Sequence, residues 1–423
     1  YSITGQIDRL NLVLRRAENL LGVFEFFEIK PLEEEDEIKN YYEKRESPIK
    51  SLSKAILLSK KPAKFLFSGH RGSGKSTELN ILSGKVKDKY FVVNFSVFDL
   101  LSIHDIKDID LLLTIGSEIY KKAYDEGIKL DKKIVNDLSA WMEDVTKISI
   151  KEQKVSLGGE AALNWLLIKL GSEMQTGTTK KEELRGTIKQ RLGDLMEKIN
   201  SLIYEVENKL AKKEGKKILV IIDDLDKIDL DEAEELFYKH SNSLTLPACS
   251  IVYTIPISLV HSSKYTQVKL SFANSYVLPN IRLNKKDGGK DEAGREILRK
   301  VAGKRMDLNL ISGEALEKAI DGCGGDMFQF IYIIRFASIE ADNKNRSRIE
   351  KDDVSAILVN LRNDFDRILK KDDYPILKEI HKTKDAVDGE RLLELFHSLS
   401  VLEYLNEERW CDIHPLIIPL LDK

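Results

Sequence analysis

The sequence predicts an α/β fold, a parallel sheet flanked by helices, on three observations. Short, unbroken apolar runs recur at "KFLFS" (Lys64–Ser68), "KYFVVNFSVFD" (Lys89–Asp99), Ile218–Ile222 and "CSIVYTIPI" (Cys249–Ile257). Unbroken apolarity is what strands covered on both faces require. Between the runs, apolar residues return every three to four positions, the period of an amphipathic helix. The first run passes straight into a glycine-rich loop and then a helical pattern, the order of a strand–loop–helix unit.

At 423 residues the chain is long enough for several domains. Hydrophobic residues make up 42% and charged residues 32%, a globular balance. The 67 basic and 70 acidic side chains leave a formal charge of -3, which gives no whole-chain electrostatic case for nucleic acid or acidic lipid. Cys249, Cys323 and Cys411 lie far apart with no CxxC pair, which argues against a zinc site or disulfide framework and fits a reducing cytoplasm. No apolar run approaches the ~18 residues of a membrane span, so no membrane association is expected. A chain opening at Tyr1 reads as trimmed, and a targeting signal upstream would be invisible.

The loop is "FLFSGHRGSGKSTELN" (Phe65–Asn80). Gly69, His70, Arg71, Gly72, Ser73, Gly74, Lys75 and Ser76 match G-x-x-x-x-G-K-[ST] in full. Glycines are needed there because backbone N–H groups must wrap phosphate oxygens with no side chain in the way. Lys75 is expected to reach the β- and γ-phosphates and Ser76 to place its hydroxyl on Mg²⁺. From Thr77 a helix starts whose N-terminus faces the phosphates. The bland alternative, a glycine turn matching by chance, is disfavoured by the strand before and the helix after. ATP or ADP with Mg²⁺ is therefore the expected ligand.

Such a loop needs an acidic strand end. The run Ile218–Ile222 ends in Asp223, the candidate metal-side carboxylate, and Asp224, placed where a general base would orient the attacking water. Asp226 is a candidate for ordering the loop that follows. An acidic loop after a core strand is the plain alternative. Thr254, near the carboxyl end of the Cys249–Ile257 run, is a candidate contact to the γ-phosphate or the water, because ligands of open α/β sheets lie beyond the carboxyl ends of strands. A threonine satisfied inside the core is the competing reading.

"GHRGSGKST", the apolar run into "DDLD", and "YTIP" at a strand end resemble the STAND and origin-recognition-complex-like branch of AAA+ P-loop ATPases, over roughly Tyr41–Lys370. The resemblance implies an N-terminal helical segment and linker (1–48), a P-loop core (49–284) with an insertion near 146–180, a helical lid (285–370) and a winged-helix domain (371–423). It implies that Tyr42 and Arg45 of the linker line the adenine pocket; a solvated helix end is the alternative. Tyr276–Leu283 resembles a fifth core strand. Gly324–Asp326 resembles the turn before the sensor-2 helix, yet Phe328 stands where an arginine is usual and the next is Arg335. With Asp224 in place of the customary glutamate, this implies slow hydrolysis. Arg282 is the one candidate for a trans-acting arginine, against a structural role.

Ile188, Leu192, Leu195, Ile199, Leu202, Val206 and Leu210 predict one long amphipathic helix packed on the sheet, with Gly193 interrupting the pattern. The stretch Thr146–Thr179, with Trp165, breaks pattern and reads either as a partner contact or as a packing element. Amphipathic "IDRLNLVLRRAENLL" and the solvated acidic run Glu33–Glu37 open the chain. At the other end, helices are followed by a hairpin turning at Asn406–Glu408. The recognition-helix candidate, Gly389–Ser398, carries Glu390, Arg391, Glu394 and His397; this mixed charge favours protein docking over DNA, which needs clustered lysine and arginine. The reading is thus an ATP-dependent switch, slow in turnover, that assembles with a protein partner or effector and with copies of itself. The resemblance extends this to bacterial defence, antiviral defence included, or signalling. A DNA-binding initiator-like ATPase and a scaffold with structural ATP are the alternatives.

Overall fold

A computed structural model describes residues 16–102, 104–150, 163, 172, 179–387, 389–405 and 408–422. Most of the expected insertion, Trp165, the first residues of the N-terminal amphipathic stretch, and Asn406 and Glu407 of the expected turn lie outside the described residues. The chain divides into two compact units. One comprises Pro48–Ser68 and Ile81–Val277; the other comprises Tyr1–Ser47, Gly69–Asn80 and Leu278–Lys423.

The first unit is built on a five-stranded parallel sheet in the order β2-β3-β4-β1-β5. Its strands are β1 (Lys64–Gly69), β2 (Tyr90–Ser96), β3 (Lys217–Asp223), β4 (Ser250–Ile255) and β5 (Asn274–Leu278). The three central strands are buried almost end to end, which is why their sequences do not alternate. The edge strands β2 and β5 alternate or thin out in burial, as strands with one uncovered side do. Parallel pairing sets Phe67 opposite Thr254 and Ile222 opposite Tyr253, so the carboxyl ends of β1, β4 and β3 share one edge of the sheet. β5 ends at Leu278, short of the expected Leu283, because Pro279 has no N–H to continue a ladder.

Helices Asp108–Asp125 and Leu192–Lys213 share a core with the sheet. The expected long helix is in fact two, Thr179–Gln190 and Leu192–Lys213, broken at Arg191 (φ -120°, ψ 28°), two residues before Gly193. Ile188, Leu195, Ile199, Leu202, Val206 and Leu210 are all buried, so their stripe is core and not a coiled-coil seam. A Cβ on Gly116 would stand 3.1 Å from Ile199 Cγ1, so glycine sets how closely these helices approach.

The second unit holds helices Glu292–Arg305, Gly313–Gly322, Met327–Asn343 and Lys351–Ile368, all within the stretch 285–370 expected to be helical. Asp291, Ser312 and Asp326 each cap the helix they precede by accepting a backbone N–H. Helices Asp373–Thr383 and Glu390–His397 follow, then an antiparallel hairpin of β6 (Val401–Leu405) and β7 (Arg409–Ile413). Tyr404 and Trp410 stack across it with ring centroids 4.7 Å apart. No helix among the described residues is long and apolar enough to cross a membrane.

Candidate functional site

The glycine-rich loop follows β1 and leads into the helix Lys75–Val86. Gly72 and Gly74 take φ of 88° and 95°, left-handed conformations that side chains resist. Lys75 is buried, and its Nζ donates to the carbonyls of Gly69 (3.0 Å) and His70 (2.8 Å). The helix N-terminus at Lys75 and Ser76 adds N–H groups and the positive end of its dipole. Arg71 is exposed, while Ser76 and Thr77 are half-buried. The Thr77 hydroxyl accepts the backbone N–H of Leu32 at 3.0 Å.

Elements distant in sequence hold this loop from outside. Arg45 donates through Nη1 to Ser73 O at 2.6 Å and through Nη2 to Pro279 O. Tyr42 donates its hydroxyl to Glu78 at 2.9 Å, and Ser47 donates to the same carboxylate at 2.7 Å. Burial holds the Arg45 guanidinium below its ordinary pKa; burial, and then the charge of Glu78, push the Tyr42 phenol up. The linker residues expected at the adenine pocket thus grip the phosphate loop and its helix. Glu78, which collects both hydroxyls, carried no signal in the sequence.

The Gly324–Asp326 turn bears on the same loop. Phe328 N donates to Gly72 O at 3.0 Å, and a Cβ on Gly72 would lie 2.5 Å from Asp326 Oδ2. Gly325, at φ 80°, leaves a Cβ only 1.8 Å from Ile281 O, so no other residue fits there. Asp326 is fully buried; burial raises its carboxyl to about 7 against the opposing pull of Lys75 and Arg45. Phe328 is half-exposed, whereas Arg335 donates to Phe27 O (3.2 Å) and lies 3.9 Å over the Phe24 ring. Arg282 is paired with Asp291 at 2.5 Å.

Whether a nucleotide fits can be judged from unmet polar atoms. Among the described residues, Ser73 Oγ, Asp326 Oδ2, Arg45 Nε and both amide atoms of Asn280 are buried without a hydrogen-bond partner. Pro279, just before Asn280, is tied to Arg45, and Ile281, just after it, donates its N–H to Gly325 O at 3.1 Å. Buried polar atoms are normally satisfied, so this concentration around a phosphate loop suits a polar ligand or ordered water.

The acidic strand end belongs to the sheet unit. Asp223, Asp224 and Asp226 offer carboxylate oxygens within 4.8 Å of one another, a spacing compatible with one cation. Asp224 sits in the left-handed region (φ 69°), uncommon outside glycine and best tolerated by Asp and Asn. Its carboxylate accepts from Ser96 Oγ (2.5 Å) and pairs with Lys227 (2.6 Å). Ser96 was not legible as a partner, because its place depends on where β2 ends beside β3, whereas Lys227 lies three residues on in the turn itself. Thr254 is fully buried. Its Oγ1 accepts Leu225 N at 2.9 Å and donates to Ile222 O at 3.1 Å, bracing the turn that carries both aspartates.

Residues 45–330, more than half of the chain, match the KAP family P-loop domain. No curated protein matches the chain. Among solved structures, it is similar to the Aeropyrum pernix ORC1 protein in complex with DNA (13% identity, 96% of this chain and 98% of that one covered, TM-score 0.42). It is also similar to Cdc6p from Pyrobaculum aerophilum (11%, 94% and 97%, TM-score 0.39) and to the Thermotoga maritima RuvB Holliday junction branch migration motor (13%, 91% and 95%, TM-score 0.37).

Proposed function

Because this chain belongs to the KAP family of P-loop domains, we propose that it is a slow, nucleotide-dependent switch ATPase whose state controls assembly with a protein partner. One observation carries the reading. The phosphate loop and the start of its helix, Gly69–Asn80, form a compact unit with the N-terminal linker, the helices after Leu278 and the C-terminal hairpin. A loop so embedded can pass its state to those elements.

Bound Mg-ATP would supply the γ-phosphoryl group for transfer to water. Lys75 and the backbone N–H groups of the loop would bind its phosphates; Ser76 and Asp223 would hold the metal. Asp224 would orient the water. Its carboxylate is already engaged by Lys227 and by the Ser96 hydroxyl, contacts that a water would have to share, which supports slow turnover. Thr254 acts from behind by fixing the turn.

A protein partner is favoured over DNA because both arginines of the last helix and hairpin are already paired. Arg391 is committed to Asp373 at 2.6 and 2.7 Å, and Arg409 lies 3.6 Å from Glu403. Phosphate release from Mg-ATP tests the reading, alone and with duplex DNA. We expect slow release abolished in Lys75→Ala and unmoved by DNA. DNA stimulation that fades steeply with salt would instead favour the initiator-like reading; ATP binding without any release would favour a scaffold.

A further inference from the structure

We propose that His70 is a positioning residue that links the phosphate loop to the C-terminal hairpin, so that nucleotide binding is read out as loosening of β6. The inference rests on the nucleotide-binding reading above and deepens it. His70 occupies the first variable position of the loop and is 1% exposed. Its Nε2 accepts the backbone N–H of Glu403 at 2.8 Å, across 333 positions of sequence. Because Nε2 accepts, the ring's hydrogen resides on Nδ1 and the imidazole is neutral. The ring also packs on Phe396, centroids 5.9 Å apart.

The hairpin makes this contact informative. Glu403 faces Cys411 across the ladder, and the Cys411 N–H points away from β6, to Lys384 O at 2.9 Å. The pair is therefore a non-hydrogen-bonded one, whose amides face outward. An outward amide on a two-stranded hairpin would otherwise need water; here a phosphate-loop side chain takes it. The same strand touches the neighbouring turn. Tyr404 donates its hydroxyl to Gly324 O at 2.7 Å, and a Cβ on Gly324 would stand 2.6 Å from Leu402 Cδ1.

Three bonds meet at His70. Lys75 (2.8 Å) and the Ser73 N–H (3.1 Å) hold its backbone carbonyl, and the Glu403 N–H holds its ring. Phosphates in the loop compete for the Lys75 ammonium. Drawing Lys75 off the His70 carbonyl leaves it to the Ser73 N–H of the same loop, so the residue shifts with the loop as it closes on phosphate, and the ring, at 2.8 Å from the strand amide, cannot follow without straining or breaking its bond.

Hydrogen–deuterium exchange on the 423-residue chain tests this, with Mg-ATP binding measured separately by calorimetry. In the wild type, saturating Mg-ATP is expected to speed exchange at the Glu403 amide by about tenfold, the scale of one net hydrogen bond. His70→Leu removes the acceptor; its Glu403 amide should exchange fast with or without nucleotide. His70→Gln places an amide oxygen near Nε2 and should restore slow, nucleotide-sensitive exchange. Bound nucleotide with unchanged wild-type exchange at Glu403 overturns the inference and leaves the nucleotide-binding reading intact. So does a His70→Leu variant that keeps the wild-type shift. Failure to bind Mg-ATP overturns that reading and the inference together.

Discussion

Asp326 concentrates the residue-scale physics. It caps a helix through Oδ1, accepting Gln329 N at 2.8 Å, while Oδ2 lies buried against Gly72. Burial raises its carboxyl to about 7, against an ordinary value near 4 in the unfolded chain. Between those values the folded chain holds the proton and the unfolded chain has released it. Stability therefore falls as pH rises through this window, and the cost is complete above it. Asparagine caps equally well and carries no charge. Asp326→Asn should be more stable than wild type at pH 8 by about 1–3 kcal/mol, the margin narrowing steadily toward pH 4. Urea melts at several pH values measure this; a constant margin would show that Asp326 does not titrate in that range.

At the scale of elements, Thr254 ties β4 to the turn after β3. Its hydroxyl makes two buried hydrogen bonds, one of them satisfying Leu225 N. Thr254→Val keeps the shape and orphans that N–H, at a cost of about 1–3 kcal/mol in denaturant unfolding. Because the turn carries Asp223 and Asp224, we also expect lower phosphate release from Thr254→Val than stability alone would explain, measured well below its melting temperature. The helix break at Arg191 and the end of β5 at Leu278 belong to this scale too. The first was hidden because an apolar stripe persists across a break that keeps the same face inward. The second was legible in Pro279 but masked by the apolar residues beyond it.

For the whole molecule, ligand linkage is the broadest test. A nucleotide that binds only the folded chain at 100 times its dissociation constant adds about 2.7 kcal/mol. The wild type should show a concentration-dependent rise in melting temperature with Mg-ATP, and Lys75→Ala should show none. An equal rise in both would place the nucleotide elsewhere.

By itself the sequence determined the parallel sheet, the phosphate-loop motif between strand and helix, and the helical stretches after Leu278. Each of these is written in contiguous residues: buried strands as unbroken apolar runs, the loop as glycines at set spacing, helices as a period near 3.6. Tertiary structure alone decided what holds the loop. Arg45 on Ser73 O, Asp326 against Gly72, and His70 on the Glu403 amide join segments separated by 28 to 333 positions. Contacts of that kind leave no local pattern, because they are made to backbone that every residue carries and only the folded chain selects.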